Sequence, residues 1–125
     1  MANPSKTARK KAWQWGRYAE ALAVARLRSC GYGIVAKRYR TAVGEIDLIA
    51  ERGSTIIFIE VKARQNISDG LASITYRQQQ RIIRASQWFL QKQPKFGDYK
   101  IRFDAIVIAP WRWPRHVKDA WRPNI

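Results

Sequence analysis

The strongest pattern in the chain is a pair of apolar runs between residues 44 and 62, rich in isoleucine, leucine and phenylalanine. Gly53-Ser54 separates the runs, and this pair suits a tight turn with a positive φ angle at glycine. The pattern therefore predicts an antiparallel hairpin. With a two-residue loop, the register places Asp47 on the first strand directly opposite Glu60 on the second.

Side chains on a strand alternate between its two faces, which fixes the residues that share a face. The second strand of the hairpin is apolar on both faces until Glu60, so we expect it to be a central strand of a sheet. On the first strand, one face is expected to carry Glu45, Asp47 and Ile49, and the other Ile46, Leu48 and Ala50.

Two carboxylates that face each other at the end of a hairpin require an explanation, because opposed Cβ atoms lie roughly 4.5–5.5 Å apart and like charges there destabilise the sheet. A divalent cation such as Mg²⁺ replaces that repulsion with two oxygen ligands. Lys62 follows Glu60 on the same face and would place an ammonium beside an anion bound to that cation. The alternative is a solvated strand end in which Glu45 pairs with Lys62 across the strands.

A first amphipathic helix is predicted for residues 16–30, which place their apolar side chains on one stripe and end before Gly31. Glu20 lies at the border of this stripe, where a carboxylate is costly unless it is paired or bound to a metal. Pairing with Arg17 near the start of the helix is the alternative.

A second helix is predicted to begin at Thr75 and to end near Lys92. Thr75 and Gln78 fit the capping box, in which a hydroxyl residue is followed three positions later by glutamine. Gln79 shares the side of Ile82 and is expected to point inward, toward the two acids.

Further strands are predicted for residues 32–41 and 100–109, with a short closing strand between 116 and 121, whereas residues 63–70 have the composition of a polar loop. Trp111 and Trp113 follow the long strand between two prolines. We expect them to pack over the sheet, with stacking on nucleic-acid bases as the alternative.

The charge of the chain indicates a polyanionic partner. Its 125 residues suit one domain, and 24 Lys and Arg residues against nine Asp and Glu give a formal charge of +15. Nucleic acid is the expected partner, and an anionic membrane surface comes second. Residues 1–15 are predicted to form a basic flexible arm, ending in Trp13 and Trp15, and residues 16–125 the domain.

The remaining composition indicates a cytoplasmic protein without a membrane segment. Cys30 is the only cysteine, so no internal disulfide is possible and a reducing compartment is expected. No apolar run has the length to cross a bilayer, and the start of the chain lacks the apolar core of a secretory leader. His116, the single histidine, does not make a zinc site by itself.

The predicted order of helix, strand, strand, strand, helix and strand, with Asp47 on the second strand and Glu60-Val61-Lys62 on the third, resembles the PD-(D/E)XK nuclease core of many restriction endonucleases and Holliday junction resolvases. The resemblance implies an α/β fold with a restriction-endonuclease-like αβββαβ core, in which helices flank a mixed central sheet. More narrowly, roughly residues 16–121 are similar to the YraN family of small, predicted endonuclease-like bacterial proteins. The motifs that carry this likeness are Ala19-Glu20, Gly44-Glu45-Ile46-Asp47-Leu48-Ile49-Ala50, Phe58-Ile59-Glu60-Val61-Lys62, Arg102-Phe103-Asp104 and Lys118-Asp119-Ala120.

The resemblance implies roles for five residues and a metal ion, Mg²⁺ or Mn²⁺. Asp47 and Glu60 would be metal ligands, and Lys62 would orient the attacking water or stabilise charge on the phosphate. Glu20 would complete the acidic cluster as a third ligand from the first helix, and Gln79 would face the site from the second.

Two positions depart from the family pattern. Gln78 stands where a lysine is usual at the start of the second helix, and Arg38 stands where an asparagine is common. Neither position belongs to the acidic cluster, but the missing lysine bears on phosphate contact at that helix.

These features together predict a metal-dependent DNA endonuclease with little sequence preference. The likeness to resolvases suggests branched DNA as substrate, and cutting two strands would require a homodimer. The alternatives are a non-catalytic nucleic-acid-binding protein on the same fold and a basic structural or ribosome-associated protein, which the basic residues at 4–11 favour. The candidate contacts to the DNA backbone are Arg38, Arg40, Arg64, Arg77 and Arg81.

Overall fold

The structure is a computed structural model that describes residues 5–123, apart from the side chains of residues 9–14. No helix in this described part of the chain is long and apolar enough to cross a membrane. In chain order the elements are α1 (Lys6–Ser29), β1 (Gly33–Thr41), β2 (Gly44–Arg52), β3 (Thr55–Ala63), α2 (Ile67–Ala72), α3 (Tyr76–Lys92), a 3₁₀ turn (Pro94–Phe96), β4 (Lys100–Ile108) and β5 (Arg115–Trp121).

The five strands form one mixed sheet in the order β1-β2-β3-β4-β5. The first three strands are antiparallel neighbours, β4 runs parallel to β3, and β5 returns antiparallel to β4. The parallel step requires a crossover, which α2 and α3 supply. The predicted α/β fold with a restriction-endonuclease-like core is confirmed, and β3 is a central strand as expected.

The turn at Gly53 sets the register of the hairpin. Gly53 has a φ of +61°, a left-handed conformation that glycine adopts without strain. Pairing starts at Arg52–Thr55 and continues outward to Leu48–Ile59, as the two-residue loop predicts.

The sheet has an apolar core on each face because alternate residues of its central strands point to opposite sides. On β3, Ile57 and Ile59 pack toward α1, whereas Ile56 and Phe58 pack toward α3. The residues of α1 that enter the first core are Ala19, Ala23, Val24 and Leu27, and those of α3 that enter the second are Ile82, Ile83, Ala85 and Phe89.

The alternation of side chains along β2 breaks at Asp47. Ile46 packs in the same core as Ile49, on the α3 side, whereas Leu48 packs on the α1 side. The prediction that Ile46 and Leu48 share a face is therefore wrong. The adjacent strand is irregular at the same level, because Arg38 of β1 has a left-handed φ of +49°.

Helix α1 begins at Lys6, well before the predicted start at Gly16. The Ser5 hydroxyl caps it by accepting a hydrogen bond from the backbone N–H of Ala8 at 3.1 Å, and the lysines, arginine and alanines that follow favour a helix. Residues 6–15, which were assigned to the arm, are thus helical. Flexibility of the arm stays a prediction, and residues 1–4 and the side chain of Trp13 lie outside the described residues.

The segment after β3 is more ordered than predicted. Residues 63–70 were expected to form a polar loop, but Asn66 caps the short helix α2 by accepting from the backbone N–H of Asp69 at 2.8 Å. The predicted start of α3 is confirmed, because the Thr75 hydroxyl accepts from the backbone N–H of Gln78 at 3.2 Å.

A buried ion network joins β4 to β5. The fully buried Asp104 accepts two hydrogen bonds from Arg102 at 2.8 Å and one from the backbone N–H of Asp119 at 3.0 Å, and it lies 2.7 Å from His116 Nε2. Burial alone would raise the pKa of Asp104, but these hydrogen bonds outweigh it and hold the pKa below its ordinary range. Two motifs of the family resemblance, around residues 102–104 and 118–120, therefore meet in one structural cluster.

The tryptophans after β4 do not pack over the sheet. Trp111 and Trp113 both lie exposed in the connection between β4 and β5, so the expectation of packing is wrong for them. Pro114, which closes this connection, is buried instead.

Candidate active site at the fork of β2 and β3

The candidate site lies where β2 and β3 part. The backbone pairing between the two strands ends at Leu48 and Ile59. Beyond this pair, the Asp47 Oδ2 atom accepts a hydrogen bond from the backbone N–H of Val61 at 2.8 Å, in the place of a backbone carbonyl. We call this place, at Asp47 and Glu60, the fork.

Two hollows open at the fork, one on each side of the sheet, and Asp47 lines both. The α1-side cleft, of about 460 Å³, also contains Glu20 and Lys62. The α3-side cavity, of about 240 Å³, brings Asp47 together with Glu60, as the register of the hairpin predicts. The residues that line the α3-side cavity are Glu45, Asp47, Glu60, Gln78, Arg81 and Ile82.

Lys62 neutralises part of the charge at the fork. Its Nζ atom lies 3.1 Å from Glu60 Oε1, and the two side chains are 14% and 13% exposed. Among the described residues, Glu45 does not pair with Lys62, which was the alternative. Glu45 pairs instead with Arg40 on β1, at 3.4 Å. The amine is thus held beside the two acids.

Burial and mutual repulsion raise the pKa values of both acids. Burial is the main cause that raises the pKa of Glu60 to about 7, and the nearby Asp47 adds to it, while Lys62 acts in the opposite direction. Burial also raises the pKa of Asp47, against the hydrogen bond from Val61 and the charge of Lys62. One amine does not offset two buried carboxylates, and a bound cation would complete the balance.

Gln78, rather than Gln79, faces the acids from α3. Its Oε1 atom is buried and has no hydrogen-bond partner among the described residues. Gln79 does not line either hollow, and its amide donates to the carbonyl of Ile74 at 3.2 Å. The capping box contained the missed signal, because its last residue, Gln78, lies one turn before Ile82 and shares the inner side of the helix.

A glycine allows α3 to approach this close. A Cβ atom at Gly44, the first residue of β2, would lie 2.5 Å from the backbone carbonyl oxygen of Arg81. Since a backbone atom of a packed helix has little freedom to move aside, only glycine fits here. The close approach carries Gln78 and Arg81 over the end of the hairpin.

Glu20 reaches the site from α1 but is engaged by an arginine. Its Oε2 atom lies 3.0 Å from Nε of Arg38, one of the two residues that depart from the family pattern. Among the residues that the structure describes, no three His, Cys, Asp or Glu side chains are grouped closely enough to enclose a metal ion as they stand. The role of Glu20 as a third ligand stays a prediction.

The donors of the α3-side cavity nevertheless suit a hard divalent cation. Asp47 and Glu60 contribute carboxylate oxygens, and the buried amide oxygen of Gln78 lacks a partner in the described part of the chain. Mg²⁺ prefers such oxygen ligands and commonly needs only one or two carboxylates from the protein. We conclude that the residues present fit this class of ion.

The arginines predicted to contact DNA surround the fork unequally. Arg38, Arg40 and Arg64 line the α1-side cleft, and Arg81 lines the α3-side cavity. Arg77 is exposed on α3, one turn before Arg81. Their contacts with DNA stay a prediction.

The sheet order and the position of the fork between two strands of the sheet define the class of the protein as a restriction-endonuclease-like α/β fold. Within that class, the chain belongs to the family described as "Uncharacterised protein family UPF0102", whose model matches residues 19–108. This confirms the resemblance to the YraN family, since the two terms denote the same family.

Relatives of this chain extend over nearly its whole length. A UPF0102 protein of Mesorhizobium japonicum is 42% identical over 97% of both chains. A UPF0102 protein of Bradyrhizobium diazoefficiens is 47% identical over 97% of this chain and 89% of its own, and one of Rhodopseudomonas palustris is 49% identical over 90% and 84%. Their names state the family and no activity.

Proposed function

We propose that this protein is a metal-dependent endonuclease that hydrolyses phosphodiester bonds in DNA. The observation that carries the proposal is the fork, where Asp47 and Glu60 line one cavity and the Lys62 amine lies 3.1 Å from Glu60 Oε1. Buried like charges are costly to the fold, so their retention beside a cavity favours a chemical use.

Asp47, Glu60 and the amide oxygen of Gln78 would hold the divalent cation. When bound, such an ion lowers the pKa of a water molecule and neutralises charge on the phosphate. The hydrogen bond from Val61 orients the Asp47 carboxylate before any ligand binds, so less side-chain freedom is lost on binding.

Lys62 would stabilise the reacting phosphate. Its ammonium is largely buried, contacts Glu60 and lines the α1-side cleft with Asp47, where a positive charge interacts more strongly than in water. It would donate hydrogen bonds to a non-bridging phosphate oxygen as negative charge develops there.

DNA as the substrate class is supported by charge. The chain carries a net +15, and four arginines line the cleft together with Lys62. Contacts with phosphates carry no sequence information, so the enzyme would bind many sequences and lose affinity as salt rises.

The test is cleavage of labelled linear and branched DNA with Mg²⁺ or Mn²⁺ by the wild type, Asp47→Asn and Lys62→Met. Asparagine keeps an oxygen for the Val61 N–H, and methionine keeps the apolar stem of lysine, so both variants should fold. We expect each to lose about 100-fold or more in cleavage rate, as for removal of a group that stabilises a transition state.

Matched controls are Asp98→Asn and Lys118→Met, which make the same changes at exposed positions. Both should cleave as the wild type does. DNA binding by wild type without cleavage under any of these conditions would contradict the proposal and leave the non-catalytic binding protein, and full activity in Lys62→Met would remove Lys62 from the mechanism.

A further inference from the structure

Four aromatic side chains lie exposed on one side of the molecule. Trp15 and Tyr18 of α1 are 45% and 56% exposed, and Trp113 and Trp111 of the β4–β5 connection are 65% and 103% exposed. We call these four residues the aromatic patch. Large apolar groups exposed together mark interaction sites in soluble proteins.

The patch is held open by its backbone. Trp111 has a left-handed φ of +60°, which is strained for a bulky residue and persists only where the surrounding chain enforces it. Pro110 and Pro114 restrict the same connection, and Arg26 Nε of α1 donates to the Pro114 carbonyl at 3.1 Å. The backbone of this connection therefore presents both tryptophan side chains to solvent.

The patch is continuous with the candidate active site through Trp15. The four aromatic residues line one hollow of about 590 Å³. Trp15 also lines the α1-side cleft with Asp47, and a smaller hollow with Arg64. A chain bound in the cleft thus reaches the patch without leaving the surface.

The electrostatics of the patch favour an anionic ligand with flat faces. Arg112 is the only charged residue lining the aromatic hollow in the described chain, and Arg64 lies at the boundary with the cleft. Basic grooves lined with aromatic rings are the usual means of holding single-stranded nucleic acid, because each ring stacks on a base. A duplex buries the faces of its bases and does not offer them to such rings.

From this arrangement we infer that the aromatic patch binds unpaired bases of a single-stranded segment that leads into the fork. The inference rests on the proposed nuclease function, and it narrows the substrate to nucleic acid that contains a single strand, such as a flap, a tail or a junction with unpaired bases. The arginines of the cleft would hold the phosphates, and the patch would hold the bases.

The experiment measures binding in chelator, so that no cleavage occurs, with labelled oligonucleotides of about 20 nucleotides, enough to cover one binding site. Single-stranded DNA, single-stranded RNA and duplex DNA are compared. The test variant is Trp111→Ala with Trp113→Ala, and the control is Trp88→Ala on α3, whose indole is 39% exposed and lies under Lys92. Both changes fall on exposed rings, and thermal unfolding confirms that the variants fold.

We expect the double variant to lose roughly tenfold or more in affinity for a single strand, the size of one lost base stack. The affinity of the double variant for duplex should change by less than about twofold, because phosphate contacts alone hold the duplex. Trp88→Ala should bind all three oligonucleotides as the wild type does, because Trp88 lies outside the aromatic patch. A loss of affinity for single-stranded DNA or for single-stranded RNA supports the inference, and the larger of the two losses identifies the preferred nucleic acid.

Equal losses for single strand and duplex, or no loss for either, would overturn the inference. Binding to anionic phospholipid vesicles that falls in the double variant, with single-strand binding unchanged, would overturn it in favour of a membrane surface. Neither result bears on the nuclease, because cleavage by the wild type and its loss in Lys62→Met are measured separately.

Discussion

At the fork, the positive charge of Lys62 offsets only part of the negative charge of Asp47 and Glu60. Asp47 and Glu60 lie largely buried beside each other, and Lys62 is the only amine that contacts Glu60 in the described structure. Because burial favours the neutral form of a carboxyl group, the pKa of Glu60 rises to about 7. In the absence of a divalent cation, we therefore expect the site to take up a proton near neutral pH, which measurements of stability detect.

Glu60→Gln in chelator is expected to stabilise the protein above pH 7 and to have little effect near pH 4.5. The pKa of Glu60 in the fold, about 7, lies above its ordinary value of 4.5, so the folded state binds an extra proton between these limits. The free energy of unfolding of the wild type should thus fall as pH rises through this window, by about 1–3 kcal/mol. Glutamine does not titrate, and thermal unfolding as a function of pH shows the difference.

Asp98→Asn is the control, because its carboxylate is exposed and lines neither hollow at the fork. Its effect on the unfolding temperature should be small at every pH. A gain for Glu60→Gln that is the same at pH 4.5 and pH 8 would show that the Glu60 carboxyl does not titrate in this window.

At the scale of residues, the sequence predicted the proximity of the two acids better than the positions of the side chains around them. The tight turn at Gly53 was enough to bring Asp47 and Glu60 together, because register is a local property of a hairpin. The Arg38 partner of Glu20 and the inward position of Gln78 depend on where helices pack, which periodicity does not determine. The contact between Asp104 and His116 was not predicted for a similar reason, since only the β4–β5 register brings the two side chains together.

At the scale of elements, α3 makes one close backbone contact with β2 in addition to its packing in the core. The backbone of α3 at Arg81 lies against Gly44, and this approach brings Gln78 over the acids. Small residues let two backbones come together, and a single methyl group is enough to separate them.

Gly44→Ala is expected to lower the free energy of unfolding by about 1–3 kcal/mol, the range for overpacking in a well-filled core. It should also lower cleavage, because α3 would move away from the fork. Gly16→Ala is the control, since nothing lies within 4 Å of its added methyl group and alanine in a helix stabilises by about 0.5–1 kcal/mol. Equal unfolding temperatures for the two variants, measured by circular dichroism, would contradict this account of Gly44.

The elements themselves were largely predictable, and their exceptions have physical reasons. Strands β1 to β5 and helix α3 follow from apolar periodicity and from the cap at Thr75. The early start of α1 at Lys6 does not follow from apolar periodicity, because the first residues of the helix are mostly basic. Lysine and arginine are nevertheless good helix formers. The reversal of Ile46 was missed because it coincides with an irregular backbone at Arg38, on another strand.

At the scale of the whole molecule, the excess positive charge should control affinity for nucleic acid. The formal charge is +15, and the α1-side cleft concentrates arginines next to the candidate site. Release of counterions from DNA makes such binding fall steeply with salt.

Arg40→Ala and Arg64→Ala are each expected to reduce the slope of log K against log salt by about 0.7–0.9, the value for one lost phosphate contact. Lys92→Ala should leave the slope unchanged, because Lys92 lies at the opposite end of α3 from Gln78. Fluorescence anisotropy over a range of NaCl concentrations measures all three, and an unchanged slope for Arg40→Ala and Arg64→Ala would place the phosphate path elsewhere.

The fork also has an evolutionary consequence. Because the side chains of Asp47 and Glu60 lie outside both apolar cores, the packing of those cores does not depend on the two negative charges. A lineage could exchange either acid for the corresponding amide, lose the proposed nuclease activity in one step and still inherit a folded cationic protein. Under the proposed function, the identity of these two positions should therefore separate active nucleases from inactive relatives among homologues, whereas overall shape should not.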